Sequence, residues 1–417
     1  MTKKNYNSYL FTGNKKTCTG CGACEQICPL KAINMKEDKE GFLFPIIDKN
    51  ICIECGLCDK KCPVNNSQSN TEENHKAYLA TALEKNYTLS SATIGICSMV
   101  AEYVLNKNGY VYGVILDEKE WRSKHICITT KERIESFRNS KYIQSDTNKT
   151  FSEVKNLLKS GHYVLYTGTP CQIAGLKSFL KKDYENLITI DIICHGVYSY
   201  KLLQQEINYW EEKYLGKISN FKFRSKLKYD WNYGGVINFD IIDAKRKSKH
   251  IEVHGSCSPT YRCYAYSGDK ISYNLRECCY SCFFRSKNRY GDITVGDAWG
   301  MRNNHSNLFT MENCKYGISL LLTNNNKGNI IINTLKNRIN LFSIKHEDAF
   351  KQEALLPINR NIPIERYKIY ENIGNENYND LIERILQVNF HQLQKRHNFI
   401  FYKNKFKNII KHILLRK

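Results

Sequence analysis

Eight of the eighteen cysteines in this chain fall between Cys18 and Cys62, in two copies of one pattern. The first copy reads Cys18-Thr-Gly-Cys21-Gly-Ala-Cys24-Glu-Gln-Ile-Cys28-Pro29, the second Cys52-Ile-Glu-Cys55-Gly-Leu-Cys58-Asp-Lys-Lys-Cys62-Pro63. So many thiols in one short stretch leave two uses, disulfides or metal. The segment Met1 to Asn14 is polar and carries no apolar run of the secretory kind, so the expected setting is cytoplasmic. In that reducing compartment, metal or redox chemistry is the better reading.

The spacing Cys-x2-Cys-x2-Cys-x3-Cys-Pro is the bacterial ferredoxin run, whose fourth cysteine ligates the other cluster. Three thiolates on a tight loop wrap one corner of a cubane. Gly20, Gly22 and Gly56 let backbone N–H groups turn toward the sulfurs, and Pro29 and Pro63 steer the chain away. The spacing assigns Cys18, Cys21, Cys24 and Cys62 to one [4Fe–4S] cluster, and Cys52, Cys55, Cys58 and Cys28 to a second. Zinc would use two Cys pairs or a Cys/His mixture and would leave one cysteine of each run without a role. Two clusters without a substrate pocket make an electron relay, so the chemistry is expected in the rest of the chain.

At 417 residues the chain exceeds the roughly 250–300 at which a single core usually stops growing. The expected division is a ferredoxin-type domain over 1–68, a polar linker over 69–76, α/β regions over 77–158 and 159–375, and a basic tail over 376–417. Apolar spacing predicts helices over Ile96–Leu105, Phe151–Leu158 and Ile173–Leu180. It predicts strands over Tyr110–Leu116, Tyr163–Tyr166 and Leu187–Ile193. This alternation implies parallel strands with crossover helices. Beyond Gly216 the pattern is more strand-like, with a hairpin candidate at Lys245-Arg-Lys-Ser-Lys249 and strands at Asp292–Val295 and Ile318–Thr323. The expected fold class is α/β, α+β overall, with a bacterial-ferredoxin-like N-terminal domain before a mixed α/β domain.

A second constellation lies in that α/β part. Val164-Leu-Tyr-Thr-Gly168-Thr169-Pro170-Cys171-Gln172 reads as a strand, a turn and a helix start. Thr169 fits the N-cap, Pro170 the first helical position, and Gln172 completes a capping box. Cys171 then sits in a first helical turn, which favours a thiolate or another anion, phosphate included. Cys194 directly follows a strand, in Cys194-His195-Gly196, so both cysteines lie at the strand ends where open α/β sheets bind ligands. Cys279-Tyr-Ser-Cys282, with Cys278 adjacent, adds a pair. Spacing leaves three readings open. They are a third metal centre on Cys171, Cys194, Cys279 and Cys282, zinc on Cys279 and Cys282, or buried cysteines acting as small hydrophobes.

These segments resemble the beta-subunit family of coenzyme F420 hydrogenase and dehydrogenase. The matching stretches are Asn139-Ser-Lys-Tyr-Ile-Gln-Ser145, Tyr166-Thr-Gly-Thr-Pro-Cys-Gln-Ile-Ala-Gly175, Asp191-Ile-Ile-Cys-His-Gly-Val197, Leu275-Arg-Glu-Cys-Cys-Tyr-Ser-Cys282 and Asp292-Ile-Thr-Val-Gly-Asp-Ala-Trp-Gly300. The resemblance implies FAD beside a third [4Fe–4S] cluster, ligated by Cys171, Cys194, Cys279 and Cys282. It implies a flavin region at Ser140, Lys141, Tyr142, Gln144, Ser145, Gly168 and Thr169, with Lys141 facing a flavin pyrophosphate. Asp297 and Trp299 would lie near the pocket, and His195 would either donate a proton near the flavin or support a neighbouring group by a hydrogen bond; His195 and Asp297 are the catalytic candidates. The sequence departs from the family at Ser91-Ala-Thr-Ile94-Gly95, where a Ser-Gly-Gly run is common, and at Asn139, where Gly is usual. Ile94 in place of a glycine would crowd a cofactor approaching the backbone.

The expected function is an iron–sulfur flavoprotein oxidoreductase. It would join an electron-donor or acceptor protein, through its clusters and FAD, to an organic substrate of the F420 or polysaccharide-pathway kind. The alternative is a non-enzymatic electron-transfer subunit feeding a partner enzyme. The net charge of +21 suits an anionic substrate or partner. Phe399, Ile400, Phe406, Ile409, Ile410, Ile413 and Leu414 recur at helical spacing among lysines, which suits either a helix packed on the protein's own body with its lysines in solvent or a peripheral contact with the inner face of a membrane. Nucleic acid is not an expected partner, since no recognition motif accompanies the charge.

Overall fold

The computed structural model describes residues 7–66, 75–265, 271–350, 355 and 358–414, with side chains as far as residue 403. The two cysteine runs fold alike. In each, the glycine after the second cysteine opens a short helix from the left-handed region. Gly22 has φ 78° before Ala23–Ile27, and Gly56 has φ 74° before Leu57–Lys60. The likeness survives where the residue changes, because Gly20 has φ 65° and its counterpart Glu54 takes φ 52°. A left-handed non-glycine costs roughly 1–2 kcal/mol, so the loop path around the thiols overrides local preference there. Strands β1 (Ile33–Glu37) and β2 (Leu43–Ile47) pair antiparallel between the runs.

The body is built on β3 (Lys76–Ala82), β4 (Tyr110–Asp117), β5 (Arg122–Ile128), β6 (Val164–Gly168) and β7 (Leu187–Ile192). Three further strands, β8 (Gly216–Lys222), β9 (Val236–Asp243) and β10 (Ser248–His254), form a separate antiparallel sheet. Then follow β11 (Ile293–Asp297), β12 (Ser319–Thr323) and β13 (Ile339–Ile344). The large sheet has the order β13-β3-β12-β11-β7-β6-β4-β5.

The expected parallel arrangement holds only at its centre, where β11, β7, β6 and β4 run together. The flanks are antiparallel, and the β4–β5 turn is far too short for a crossover. Strand β3, from the first α/β region, lies between β12 and β13 from the second. Strands from both sides of the expected 158/159 boundary therefore share one sheet.

Helices over Ile96–Leu105, Thr150–Lys159 and Pro170–Leu180 occupy the predicted places and cover the sheet. Met99, Val100 and Val104 pack with Leu165, Ile188 and Ile293 on one side. Phe151, Ile173 and Leu176 pack with Tyr166 on the other, and Cys21 and Ala23 of the N-terminal domain join that second cluster. The hairpin expected near Lys245 is the β9–β10 turn. The C-terminal helix spans Phe390–Leu414. Its His397 ring lies 4.2 Å from His254 and its Phe401 ring 4.5 Å from Tyr229, while Phe399 and Ile400 are exposed. The side chains of Phe406, Ile409, Ile410, Ile413 and Leu414 lie outside the described residues, as does most of the expected linker. Among the described residues no helix is long and apolar enough to cross a membrane.

Polar contacts seat the N-terminal domain on the body. Gln26 Oε1 accepts the Phe151 N–H at 2.8 Å, and the Thr147 hydroxyl donates to the Cys21 carbonyl at 3.1 Å. Ser178 donates to the Lys61 carbonyl at 2.9 Å. Arg366, fully buried, grips Glu40 with both terminal nitrogens at 2.6 and 3.2 Å and donates Nε–H to the Leu275 carbonyl. Breaking a buried pair leaves an uncompensated charge and costs about 3–5 kcal/mol. Glu40→Ala should therefore lower the anaerobic denaturation midpoint far more than Glu37→Ala, whose partner Arg122 is a third exposed. Equal midpoints for the two variants would refute this.

Candidate functional site

Cys18, Cys21, Cys24 and Cys62, the first set assigned from spacing, line one cavity of the N-terminal domain together with Cys58. Burial pushes the Cys21 and Cys24 thiols up, and neighbouring cysteines add to it. Cys62 is pushed up to about 11 by burial first. In the second set Cys55 is exposed and Cys52 partly buried. Cys58 is pushed up to about 11 by burial first, with Cys55 and Cys52 contributing. Cys28 is partly buried and its sulfur accepts the Ala32 N–H at 3.3 Å. Clustered thiols like these ionise together only when a cation joins them, which is the chemistry of an iron–sulfur donor set.

Cys171, Cys194, Cys279 and Cys282 line a second cavity at the carboxyl edge of β6 and β7, with His195 and Arg276. Thr169 and Gln172 form the capping box that places Cys171 in the first helical turn, and Thr169 Oγ1 lies 3.1 Å from Cys171 Sγ. Burial pushes Cys194 well up, Cys171 to about 11 and Cys282 to about 12. Cys279 is held down, first by its hydrogen bond with Cys278, with Arg276 and Arg285 also lowering it. Among the described residues no three His, Cys, Asp or Glu groups converge on a single metal ion. Four thiols spread over the walls of one cavity suit a polynuclear centre, in which each thiolate takes its own iron.

The other predicted residues divide. His195 shares the cavity with the thiols; its Nε2–H donates to Ser272 Oγ at 2.8 Å, whose own hydrogen goes to the Tyr264 carbonyl. Gln144 also lines the cavity, but its amide donates to the Thr19 carbonyl of the N-terminal domain. Ser145 bonds His125 and Gln172 at 2.9 and 3.0 Å. Gly168 and Thr169 form the turn before Cys171. Lys141 Nζ donates to the carbonyls of Arg138 and Phe137 at 2.8 and 3.1 Å, so it closes its own turn rather than facing open space. Burial, then Lys222, pulls Lys141 down to about 7. Ser140 is partly buried beside it. Tyr142 packs with Tyr261 and Tyr264.

Asp297 stands apart from the thiol cavity. It accepts from Thr93 at 2.8 Å and Trp231 at 2.5 Å and pairs with Arg224 at 3.0 Å. Burial pushes its carboxyl up, but Arg224 and these hydrogen bonds outweigh it and hold the group below its usual range. A carboxylate so held is an ion-pair partner rather than a proton donor. Asn139 adopts φ 72°, the left-handed region that explains a glycine-like position, and its amide pairs with both backbone groups of Arg224 at 2.5 and 3.0 Å. Ile94 is fully buried in the core beside Ile96 and Met99.

Four residues escaped the sequence reading. Thr19 lines both thiol cavities, and Arg276, buried to 1%, lines the second. His125 is neutral, pulled down to about 4 by burial, and braces Ser145. Arg224 anchors Asp297, while its Nε and Nη2 are buried without a hydrogen-bond partner among the described residues. Arg276 alone had a local signal, an arginine two residues before a run of cysteines.

Residues 161–347 match the family model for the C-terminal part of the coenzyme F420 hydrogenase/dehydrogenase beta subunit, and residues 17–66 match that of the 4Fe-4S dicluster domain. Residues 161–347 are thus similar to the C-terminal part of that beta subunit, and they follow an N-terminal 4Fe-4S ferredoxin-type domain. No curated protein matches it. A solved chain of the F420-reducing [NiFe] hydrogenase complex from Methanosarcina barkeri is 15% identical, with a TM-score of 0.38 over 71% of this chain and 91% of that one.

The first thiol site packs on the helix of Cys171 at Gly175, one turn after Cys171, where an added Cβ would lie 3.1 Å from Cys21 Sγ. Overpacking of this kind costs about 1–3 kcal/mol. Gly175→Val should lower the iron and sulfide content of anaerobically purified protein, and Gly161→Ala, which meets open space, should not. Full iron in Gly175→Val would show that the contact yields.

Proposed function

We propose that this chain is an iron–sulfur flavoprotein oxidoreductase, in which the N-terminal domain connects a protein electron donor to a flavin site in the α/β body. The observation that carries the reading is the succession of three cysteine sets from surface to interior. Cys55 is exposed, Cys58 reaches the cavity of the Cys18 set, and Thr19 is a wall common to that cavity and the Cys171 cavity. Bound in those sets, [4Fe–4S] clusters supply one-electron transfer. Their proposed ligands are the two sets assigned from spacing, and Cys171, Cys194, Cys279 and Cys282 for the third.

A buried pair of cations supports the flavin. Arg224 and Lys226 are each 5% exposed, Asn139 holds the Arg224 backbone, and Asp297 is the carboxylate paired with Arg224. Arg224 offers an unpartnered Nε/Nη2 edge, the geometry that takes a phosphate in two parallel bonds. A flavin, when bound, exchanges single electrons with iron–sulfur centres and a hydride with an organic substrate. Tyr142 links the two regions: its hydroxyl is 3.5 Å from Arg224 Nη1, and its ring packs on Tyr264, whose ring in turn packs on His195. The net charge of +21 suits an anionic substrate.

Anaerobically purified protein should hold about twelve iron atoms, three clusters of four, and one flavin. Cys171→Ala should lose about four iron atoms and leave the N-terminal clusters. An unchanged iron count in that variant rejects its ligand role, and full iron without flavin favours the electron-transfer-subunit alternative. Arg224→Met should release flavin while iron stays. Flavin retained at wild-type stoichiometry and affinity would remove Arg224 from the site.

A further inference from the structure

Three of the buried arginines each have a carboxylate. Arg224 has Asp297, Arg289 has Asp191 at 3.0 Å, and Arg366 has Glu40 at 2.6 Å. Arg276 is as deeply buried and, among the described residues, has none within ion-pair distance. Its Nε donates to the Cys18 carbonyl at 2.8 Å, Nη2 to the Leu43 carbonyl at 2.9 Å and to Cys18 Sγ at 3.5 Å, and Nη1 to Gln144 Oε1 at 3.3 Å. The guanidinium lies over the Phe44 ring at 3.9 Å. Its backbone is fixed as firmly, since its N–H donates to the Val197 carbonyl and its carbonyl accepts the Cys279 N–H, both at 2.9 Å.

A guanidinium buried without an anion costs several kcal/mol. The anions that could offset it are the thiolate sets on its two sides. Cys18 touches it directly, and the cavity of Cys171, Cys194, Cys279 and Cys282 has Arg276 in its wall. We infer that Arg276 is a shared counter-charge that raises the reduction potential of both the centre on Cys18, Cys21, Cys24 and Cys62 and the centre in the Cys171 cavity. This rests on the reading above that both cysteine sets hold clusters. Reduction adds one electron and no atom to either centre, so the reduced form carries one more negative charge beside the same fixed cation. Net charge and hydrogen bonds to sulfur are the terms by which a protein tunes such centres. The centre on Cys52, Cys55, Cys58 and Cys28 shares no residue with Arg276 and serves as the internal control.

The test is a dithionite titration of the full chain, purified anaerobically and followed by electron paramagnetic resonance, with Cys171→Ala identifying the cavity centre. Arg276→Gln should lower the potentials of the two flanking centres by at least a tenfold change in the ratio of reduced to oxidised form, about 59 mV for one electron. The control centre should not move. Arg276→Lys keeps the charge without the planar fork and should shift both potentials the same way but less far. Unchanged potentials in both variants, or one equal shift at all three centres, overturn the proposal. If Arg276→Gln fails to hold iron, the lysine variant decides: a fall at the two flanking centres supports the proposal, and no fall overturns it. Eight iron atoms in the wild-type chain would instead refute the third centre, and the Cys18 centre alone would then test Arg276.

Discussion

Charge buried beside sulfur is the constraint around which this molecule is organised. Thiols sunk in a core are pushed toward their neutral form, and a lone guanidinium in the same core is costly. Each becomes tolerable in the presence of the other and of metal. The contacts that seat the N-terminal domain cluster around that balance. Leu43 and Phe44 from β2, Cys18 from the first run, and Gln144 from the body all close on Arg276. The Cys21 and Ala23 side chains then complete a hydrophobic cluster begun by Phe151 and Ile173, so the N-terminal domain shares its core with the body.

The sheet does the remaining positioning. Parallel pairing of β6 with β7 and of β7 with β11 brings the strand ends before Cys171, Cys194 and Asp297 to one edge. That edge is split in two. Thiols, His195 and Arg276 occupy one side, while Arg224, Lys226 and Asp297 occupy the other. Between them stands a wall of tyrosines, Tyr142, Tyr261 and Tyr264, with ring centroids 4.9–5.8 Å apart.

Much of this was readable in the chain because it is written locally. The cysteine runs, the capping box at Thr169, and the helices over Ile96–Leu105 and Pro170–Leu180 each depend on neighbours a few residues away. What was not readable depends on distant partners. The placement of β3 between β12 and β13 joins segments more than two hundred residues apart, and no periodicity announces it. Lys141 looked like an anion ligand because its reach to the carbonyls of Phe137 and Arg138 is invisible without the turn. Asn139 looked like a departure from glycine, whereas its left-handed backbone keeps the glycine geometry and its amide adds a grip on Arg224. Asp297 reads alike as an acid or as an ion-pair partner until Arg224 is seen against it.

Thr19 is a wall of the Cys171 cavity, yet it belongs to the N-terminal domain. The cavity is therefore not a property of the body alone. Without Thr19 the lining around the four body cysteines would be incomplete, so whatever fits between them is enclosed by both parts of the chain at once. The close packing of Cys21 on Gly175 holds that wall in place, which makes the shape of the interior cavity depend on a contact outside it.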